Sequence, residues 1–393
     1  MKKISVSCCM VLALVMAGCA GTPKPSDENA ALILTPASFS DLKGWEQDDL
    51  NDFLAAARAS CARIVKKAPD ASFSSDPAFG TYGAWQPACR DMLAQDLSGP
   101  GLKDFLQKNY KVVSATASGN PLGLFTGYYE STLHGSRTRH GNYQHPLLAR
   151  PNDLVMVDLG EFRDALKGQR IAGRVIDGKL KPYENRAAIV GGKLPASLNH
   201  PLVWLDNPQD AFFVQVQGSG IIHLDDGGIM RVGYDGQNGH AYYTIGRELV
   251  KRGVYTKDEV SMDSIRQWMV QNPDQADELM NTNPSYVFFR ELAEEDKKQT
   301  GPQGGEGVSL TAGRSLAIDH SKIPYGLPVW LDLVYNDAAS TPIRRLVMAQ
   351  DTGGAIRGAV RGDYFWGSGE TAEKMAGPMK AKGRYYFLLP KGM

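Results

Sequence analysis

Between residues 48 and 67 the apolar side chains Leu50, Phe53, Leu54, Ala57, Cys61, Ile64 and Val65 recur at three- and four-residue intervals. That spacing lines one face of a helix, so an amphipathic helix is predicted here. A second helix is predicted over residues 87–97, because proline is preorganised for a first helical turn, and Cys89 then falls on that turn. From about residue 112 the pattern changes to short apolar runs bounded by glycine and turn residues, the signature of strands. Residues 124–130 read as a strand. Residues 211–217 read as another, with Phe212, Val214 and Val216 sharing a face. Asp225-Asp226-Gly227-Gly228 separates 221–224 from 229–232 as a turn. Helical spacing returns at 243–252, stopped by Gly253, and around 257–271. The last third predicts strands at 329–334, 345–351 and 384–389. The chain as a whole reads as mainly β with accessory helices.

The first residues change that picture. Lys2 and Lys3 precede an apolar run over 6–17 that is too short for a permanent membrane span and has the layout of a secretory signal. Ala17-Gly18-Cys19 resembles a lipobox, which implies a signal over 1–18, a lipid on Cys19 and a tether over 19–40. The alternative is an ordinary signal cut nearby, with Cys19 incidental. Residues 20–28, rich in Pro, Ser and Thr, suit an anchored chain. Ala20 stands where an Asp would resemble an inner-membrane retention signal, so the expected address is the outer membrane of a Gram-negative cell, facing the periplasm.

Composition then narrows the chemistry. The 393 residues suffice for two domains, and the 42% hydrophobic content supplies a packed core. Lys+Arg and Asp+Glu both number 43, which leaves no basic surplus for a nucleic-acid partner. Cys8 and Cys9 leave with the signal and Cys19 carries lipid. Cys61 and Cys89 are then a single pair in an oxidising compartment, predicted to be bonded; two buried free thiols are the alternative.

No HExxH, CxxC or paired-histidine pattern indicates a metal, and no cofactor is expected. No nucleophile elbow, P-loop or dinucleotide fingerprint occurs; the Gly-rich stretch 301–307 lacks the lysine and the preceding strand that a phosphate cradle needs. Carboxylates remain. Asp351 ends an apolar run before a Gly-Gly turn, and Asp363 is followed by Tyr364-Phe365-Trp366. Apolar neighbours raise a carboxyl pKa and make a usable acid near neutral pH. The competing reading has both aspartates capping turns and the aromatics in the core.

The stretch 350–358 with Gly362-Asp363-Tyr364-Phe365-Trp366-Gly367 resembles the C-terminal signature of the membrane-bound lytic murein transglycosylase A family. Upstream blocks match in the family's order. They are Phe125-Thr126-Gly127-Tyr128-Tyr129-Glu130, residues 212–220, and Gly236-Gln237-Asn238-Gly239-His240 with Tyr242. Residues 283–289 and 310–319 complete the set. The resemblance covers roughly the last two thirds of the chain.

It implies a double-psi β-barrel over 41–130 and 283–393, the helices included, with an inserted β-domain at 131–282 and a substrate groove between the two. It also implies cleavage of the bond between N-acetylmuramic acid and N-acetylglucosamine in peptidoglycan, without water. The muramic C6 hydroxyl attacks its own C1 and leaves a 1,6-anhydro end; a tethered nucleophile replaces much of what a second carboxylate would supply. Asp363 is the expected acid and then base, with Asp351 in support. Thr126, Tyr128, Gln217, Ser219, Asp319, Gly353, Gly354 and Trp366 are the expected substrate contacts. Family members commonly carry Phe where Gly362 stands. Glycan strands are the expected partner, along with wall-growth proteins. A hydrolase on the same barrel, with Asp351 or Asp319 as base, and a wall-binding lipoprotein without catalysis are the alternatives.

Overall fold

The computed structural model describes residues 29–166, 169–257, 259–293 and 301–393. The expected signal, the Cys19 anchor and residues 20–28 of the tether lie outside them. Residues 32–37, assigned to the tether from sequence, are instead strand β1 (Leu32–Ala37). Helices α1 (Asn51–Ile64), α2 (Tyr82–Ala94) and α3 (Gly99–Asn109) follow, then β2 (Tyr110–Ala117). β1 pairs antiparallel along the whole of β2, from Leu32 opposite Ala117 to Ala37 opposite Val112. Its sequence, Leu-Ile-Leu-Thr-Pro-Ala, is a six-residue edge strand interrupted by a proline and without polar–apolar alternation, which hid it within the tether.

α1 buries the predicted stripe, Leu50, Phe53, Ala57, Cys61 and Ile64 included. α2 begins at Tyr82 and not at Pro87, which lies inside it. Thr81 is extended just before the helix, and proline forfeits only a bond to a first-turn carbonyl, so the helix tolerates it. Cys89 therefore sits in mid-helix, buried, and is bonded to Cys61 with the two Cα atoms 4.9 Å apart.

β3 (Gly123–Ser136) is the longest strand and serves two sheets. Its first half pairs with the C-terminal strands, and residues 131–135 pair parallel with a strand of the second lobe. That lobe comprises β4 (His145–Leu148), β5 (Val155–Asp158), β6 (Arg170–Ile176), β7 (Lys179–Pro182), α4 (Arg186–Val190), β8 (Pro201–Leu205), α5 (Pro208–Gln217), β9 (Ser219–Leu224), β10 (Ile229–Gln237), α6 (Ile245–Lys251), α7 (Met262–Gln271), α8 (Pro273–Asn281) and β11 (Val287–Glu291). β9 and β10 form the predicted hairpin about the Asp-Gly turn.

The predicted strand at 211–217 is a correction: it is helix α5. Asn207 caps its N-terminus by accepting from the Gln209 and Asp210 amides, Pro208 opens it, and Gly218 closes it at φ +83°. Five consecutive residues, Ala211 to Gln215, are buried, so no helical stripe survives and chance alternation mimics a strand.

The chain returns through β12 (Ser315–Ile318), β13 (Pro328–Val334), β14 (Pro342–Asp351), β15 (Arg361–Ser368), α9 (Glu370–Ala376) and β16 (Ala381–Pro390). In sheet order β16, β13, β14, β12, β15 and β3 are neighbours, and β16 pairs with β3 as well as with β13. The six strands thus close a ring. β15 runs parallel to β3, and β12 parallel to β14. Its strands bury residues on both faces, Leu331 and Val347 on one and Trp330 and Leu346 on the other, and α1 packs against β14 and α2 against β16.

Candidate active site

Four neighbouring ring strands bring the motif residues into one row. Asp351 on β14 pairs with Ala317 on β12, Ala317 with Asp363 on β15, and Asp363 with Thr126 on β3. Strands lie about 4.8 Å apart, so the Cα atoms of the two aspartates are about 10 Å apart, with only a methyl group between them. Small Ala317 leaves the space above the row open. Tyr128, one strand pair further along β3, lies over Phe365 with ring centroids 5.1 Å apart, and Leu310 and Ile356 complete an apolar wall.

The two carboxyls receive different support. Asp351 accepts three hydrogen bonds: from the Tyr128 hydroxyl at 2.8 Å and from the Gly305 and Thr352 amides at 2.8 Å each. Burial nonetheless pushes its pKa up to about 6, and the Asp363 charge adds to the rise. Asp363 accepts from the Thr126 hydroxyl at 2.6 Å. Burial raises its pKa too, against the pull of the Arg361 charge and the Thr126 bond. A buried carboxyl with little hydrogen bonding favours its neutral form, while one with three donors is closer to ionising. The arrangement sets two carboxyls with raised pKa values side by side, one with a single donor and one with three, so that a proton can be held and exchanged there.

Among the residues singled out from sequence, Thr126, Tyr128, Asp351 and Asp363 meet in this way. Gln217 ends α5, and its side-chain oxygen accepts from the Tyr129 amide at 3.2 Å, which ties the second lobe to β3 beside the row. Ser219 is buried at the head of β9, opposite Gly233. Gly353 closes a turn by accepting from the Ile356 amide, and a Cβ at Gly354 would lie 3.4 Å from that of Tyr242, so this turn abuts the second lobe.

Two expectations are corrected. Trp366 faces away from the carboxyls, because side chains alternate along β15 and Asp363 shares a face with Phe365. Its ring lies edge-on to Tyr364 and Tyr335 and against Gly127, where a Cβ would come within 2.6 Å of the indole nitrogen. Asp319 is 2% exposed and committed: it accepts from the Ser321 amide and hydroxyl and from the Gly358 amide, and it pairs with Arg357. It fastens the loop before β15 and does not face the groove as a sugar contact would.

Three site residues went unassigned in the sequence. Arg361 donates to the Thr126 hydroxyl at 2.8 Å, which leaves that hydroxyl's own hydrogen for Asp363. An Arg two residues before an Asp in a strand, hence on the same face, was the available signal. Gly305 donates to Asp351, and a Cβ there would meet the Tyr325 hydroxyl at 2.5 Å; nothing in a Gly-rich run distinguishes it from a plain turn. Tyr242 of the second lobe packs against the turn at Gly354, and burial raises its pKa to about 12 with a contribution from the Asp363 charge. Among the described residues no group of His, Cys, Asp and Glu is arranged to hold a metal ion.

Fold and site define a mainly β protein whose neighbouring strands present two carboxyls with raised pKa values in one row. Residues 124–290 match the family description "MltA specific insert domain", and residues 314–389 match "3D domain". A crystal structure of the membrane-bound lytic murein transglycosylase from Agrobacterium tumefaciens superposes with a TM-score of 0.79 at 31% identity, covering 91% of this chain and 98% of that one. The lytic transglycosylase LtgG of Burkholderia pseudomallei is 37% identical, with a TM-score of 0.56 over 94% of this chain and 98% of that one. Membrane-bound lytic murein transglycosylase A of Escherichia coli is 32% identical over 270 residues, which span 67% of this chain and 65% of the relative's length. The chain belongs to the membrane-bound lytic murein transglycosylase A family.

Proposed function

We propose that the protein is a lytic transglycosylase that cleaves peptidoglycan between N-acetylmuramic acid and N-acetylglucosamine. The observation that carries this reading is the inequality of the two carboxyls: Asp363 with its Thr126 bond, Asp351 with three donors. Asp363 protonates the glycosidic oxygen. It then accepts the proton of the muramic C6 hydroxyl as that oxygen closes on C1, leaving a 1,6-anhydro end. Ionised Asp351 offsets the positive charge that develops at C1, inside a wall that excludes water. The family relationship supports the substrate class, and an E. coli MltA structure, 25% identical to this chain with a TM-score of 0.61, carries bound chitohexaose.

The finer architecture belongs to the same proposal. The closed ring of β3 and β12–β16 is consistent with a double-psi barrel built from 41–130 and 283–393, with the insert at 131–282 facing it across the groove. Lipid on Cys19 would hold the enzyme at the outer membrane beside its polymer, and wall-growth proteins are its expected neighbours.

Mass analysis of the fragments released from purified murein by a chain lacking residues 1–18, with Cys19→Ser, tests the reading. Anhydro ends are the expected product. Reducing ends would make the protein a hydrolase with Asp351 as base, and no release would leave a binding protein.

A further inference from the structure

Asp351 is held from beneath by a buried chain of hydrogen bonds that reaches helix α1. The Thr311 amide donates to the Ser315 hydroxyl at 2.8 Å, and that hydroxyl donates to the Gln350 side-chain oxygen at 2.6 Å. The Gln350 amide donates at 2.8 Å to the Ala56 carbonyl and at 2.9 Å to the Ser60 hydroxyl. Ser60 donates in turn to Glu306 at 2.7 Å. Every hydroxyl in the chain accepts from one side and donates to the other, so all its bonds run in one direction. Ser60, Ser315 and Gln350 are fully buried, and Glu306 nearly so.

The geometry has a consequence for the row above it. Gln350 immediately precedes Asp351, and Glu306 immediately follows Gly305, whose amide donates to Asp351. Ser60 thus grips, with one hydroxyl, the segment that carries the carboxyl and the segment that bonds to it. The Glu306 amide also donates to the Gln350 carbonyl at 2.9 Å, so main chain and side chains lock the same junction.

We propose that Ser60, Gln350 and Glu306 form the positioning device of Asp351, by which α1 sets the donor distance to that carboxyl. None of the three is placed to touch substrate. The proposal rests on the reading of Asp351 as the supporting carboxyl. Breaking the chain loosens the Gly305 bond, and a carboxylate that loses a donor has a higher pKa. Glu306 is itself buried, with a pKa raised to about 7, and Arg63 of α1, Tyr82 of α2 and the nearby Tyr325 are the titratable groups that face it. Removing its ionisation is therefore a separate change from removing its acceptor.

The test uses the lipid-free chain with carbon-13 in its aspartate carboxyls. The Asp351 resonance, identified by its loss in Asp351→Asn, is followed against pH. Ser60→Ala and Glu306→Ala should raise its midpoint by roughly half a unit to one unit. Glu306→Gln keeps an acceptor for Ser60 and should return the midpoint to its original value. The acidic limb of glycan cleavage should move with the midpoint, with kcat reduced several-fold and KM unchanged. An unmoved midpoint in a folded Ser60→Ala overturns the inference. If Ser60→Ala does not fold, the Glu306→Ala and Glu306→Gln pair decides, and equal midpoints in those two overturn it. If the unaltered chain releases nothing from murein, the proposed function falls while the carboxyl titration still decides the positioning device.

Discussion

Burial in an apolar wall favours a carboxyl's neutral form, and each hydrogen bond donated to it favours the ionised one. Burial raises the pKa of both Asp363 and Asp351, the latter to about 6, and it is the number of donors, one against three, that distinguishes them. Asp363→Asn preserves shape and cannot exchange a proton, so anhydro-product release should fall by about 10³-fold or more, with glycan binding retained. Asp351→Asn, on the same murein, should fall by roughly 10- to 100-fold, because it removes a compensating charge and leaves both proton transfers in place. If the two losses are equal, Asp351 is a second proton-transfer group. Thr126 tests the sign of the electrostatics. Its hydroxyl favours charged Asp363, so Thr126→Val should raise that pKa and move the alkaline limb of the activity profile to higher pH. A limb moving to lower pH would contradict the assignment of Asp363 as the acid.

The bond between Cys61 and Cys89 joins α1, which carries Ser60, to α2. Closing a loop over a sequence separation of 28 is worth about 3–4 kcal/mol. Replacing both cysteines with serine should lower the unfolding free energy by up to that amount in denaturant titrations, with the same product released from murein. Strands bounded by turn residues were legible in the sequence: β13, β14 and β16 enclose the predicted stretches 329–334, 345–351 and 384–389. α1 was legible because its stripe repeats over four turns. α5 was not, since burial on every side erases the stripe. The motif aspartates could be picked out from their neighbours in sequence. The outward turn of Trp366 follows from alternation along β15, a strand the sequence pattern did not predict, which sets it on the opposite face from Asp363 three positions before. Asp319 looked like a third site carboxyl because its identity is visible in sequence, whereas its commitment rests on two donors from neighbouring Ser321 and a third, the Gly358 amide, from a loop folded back upon it.

Two buried acidic groups weigh on the pH response of the whole molecule, against the opposite pull of His145 and His320, whose pKa values burial lowers. Burial pushes Glu306 and Asp351 up to about 7 and about 6, above the usual carboxyl range of roughly 4 in an unfolded chain. Between those values the native state binds more protons, so stability falls as pH rises. Melting should be higher at pH 5 than at pH 8, and Glu306→Gln should raise the melting temperature at pH 8 by several degrees while changing it little at pH 5. A melting temperature that climbs from pH 5 to pH 8 would contradict this. One further property follows from the way the ring closes. β16 is the last strand of the chain, and it joins β3 to β13 while also carrying β2. Residues 381–390 hold neither aspartate, nor the threonine, nor any donor described above, yet without them the cylinder is open between β3 and β13. A strand remote from the chemistry in sequence is thus the stave that completes the barrel around it.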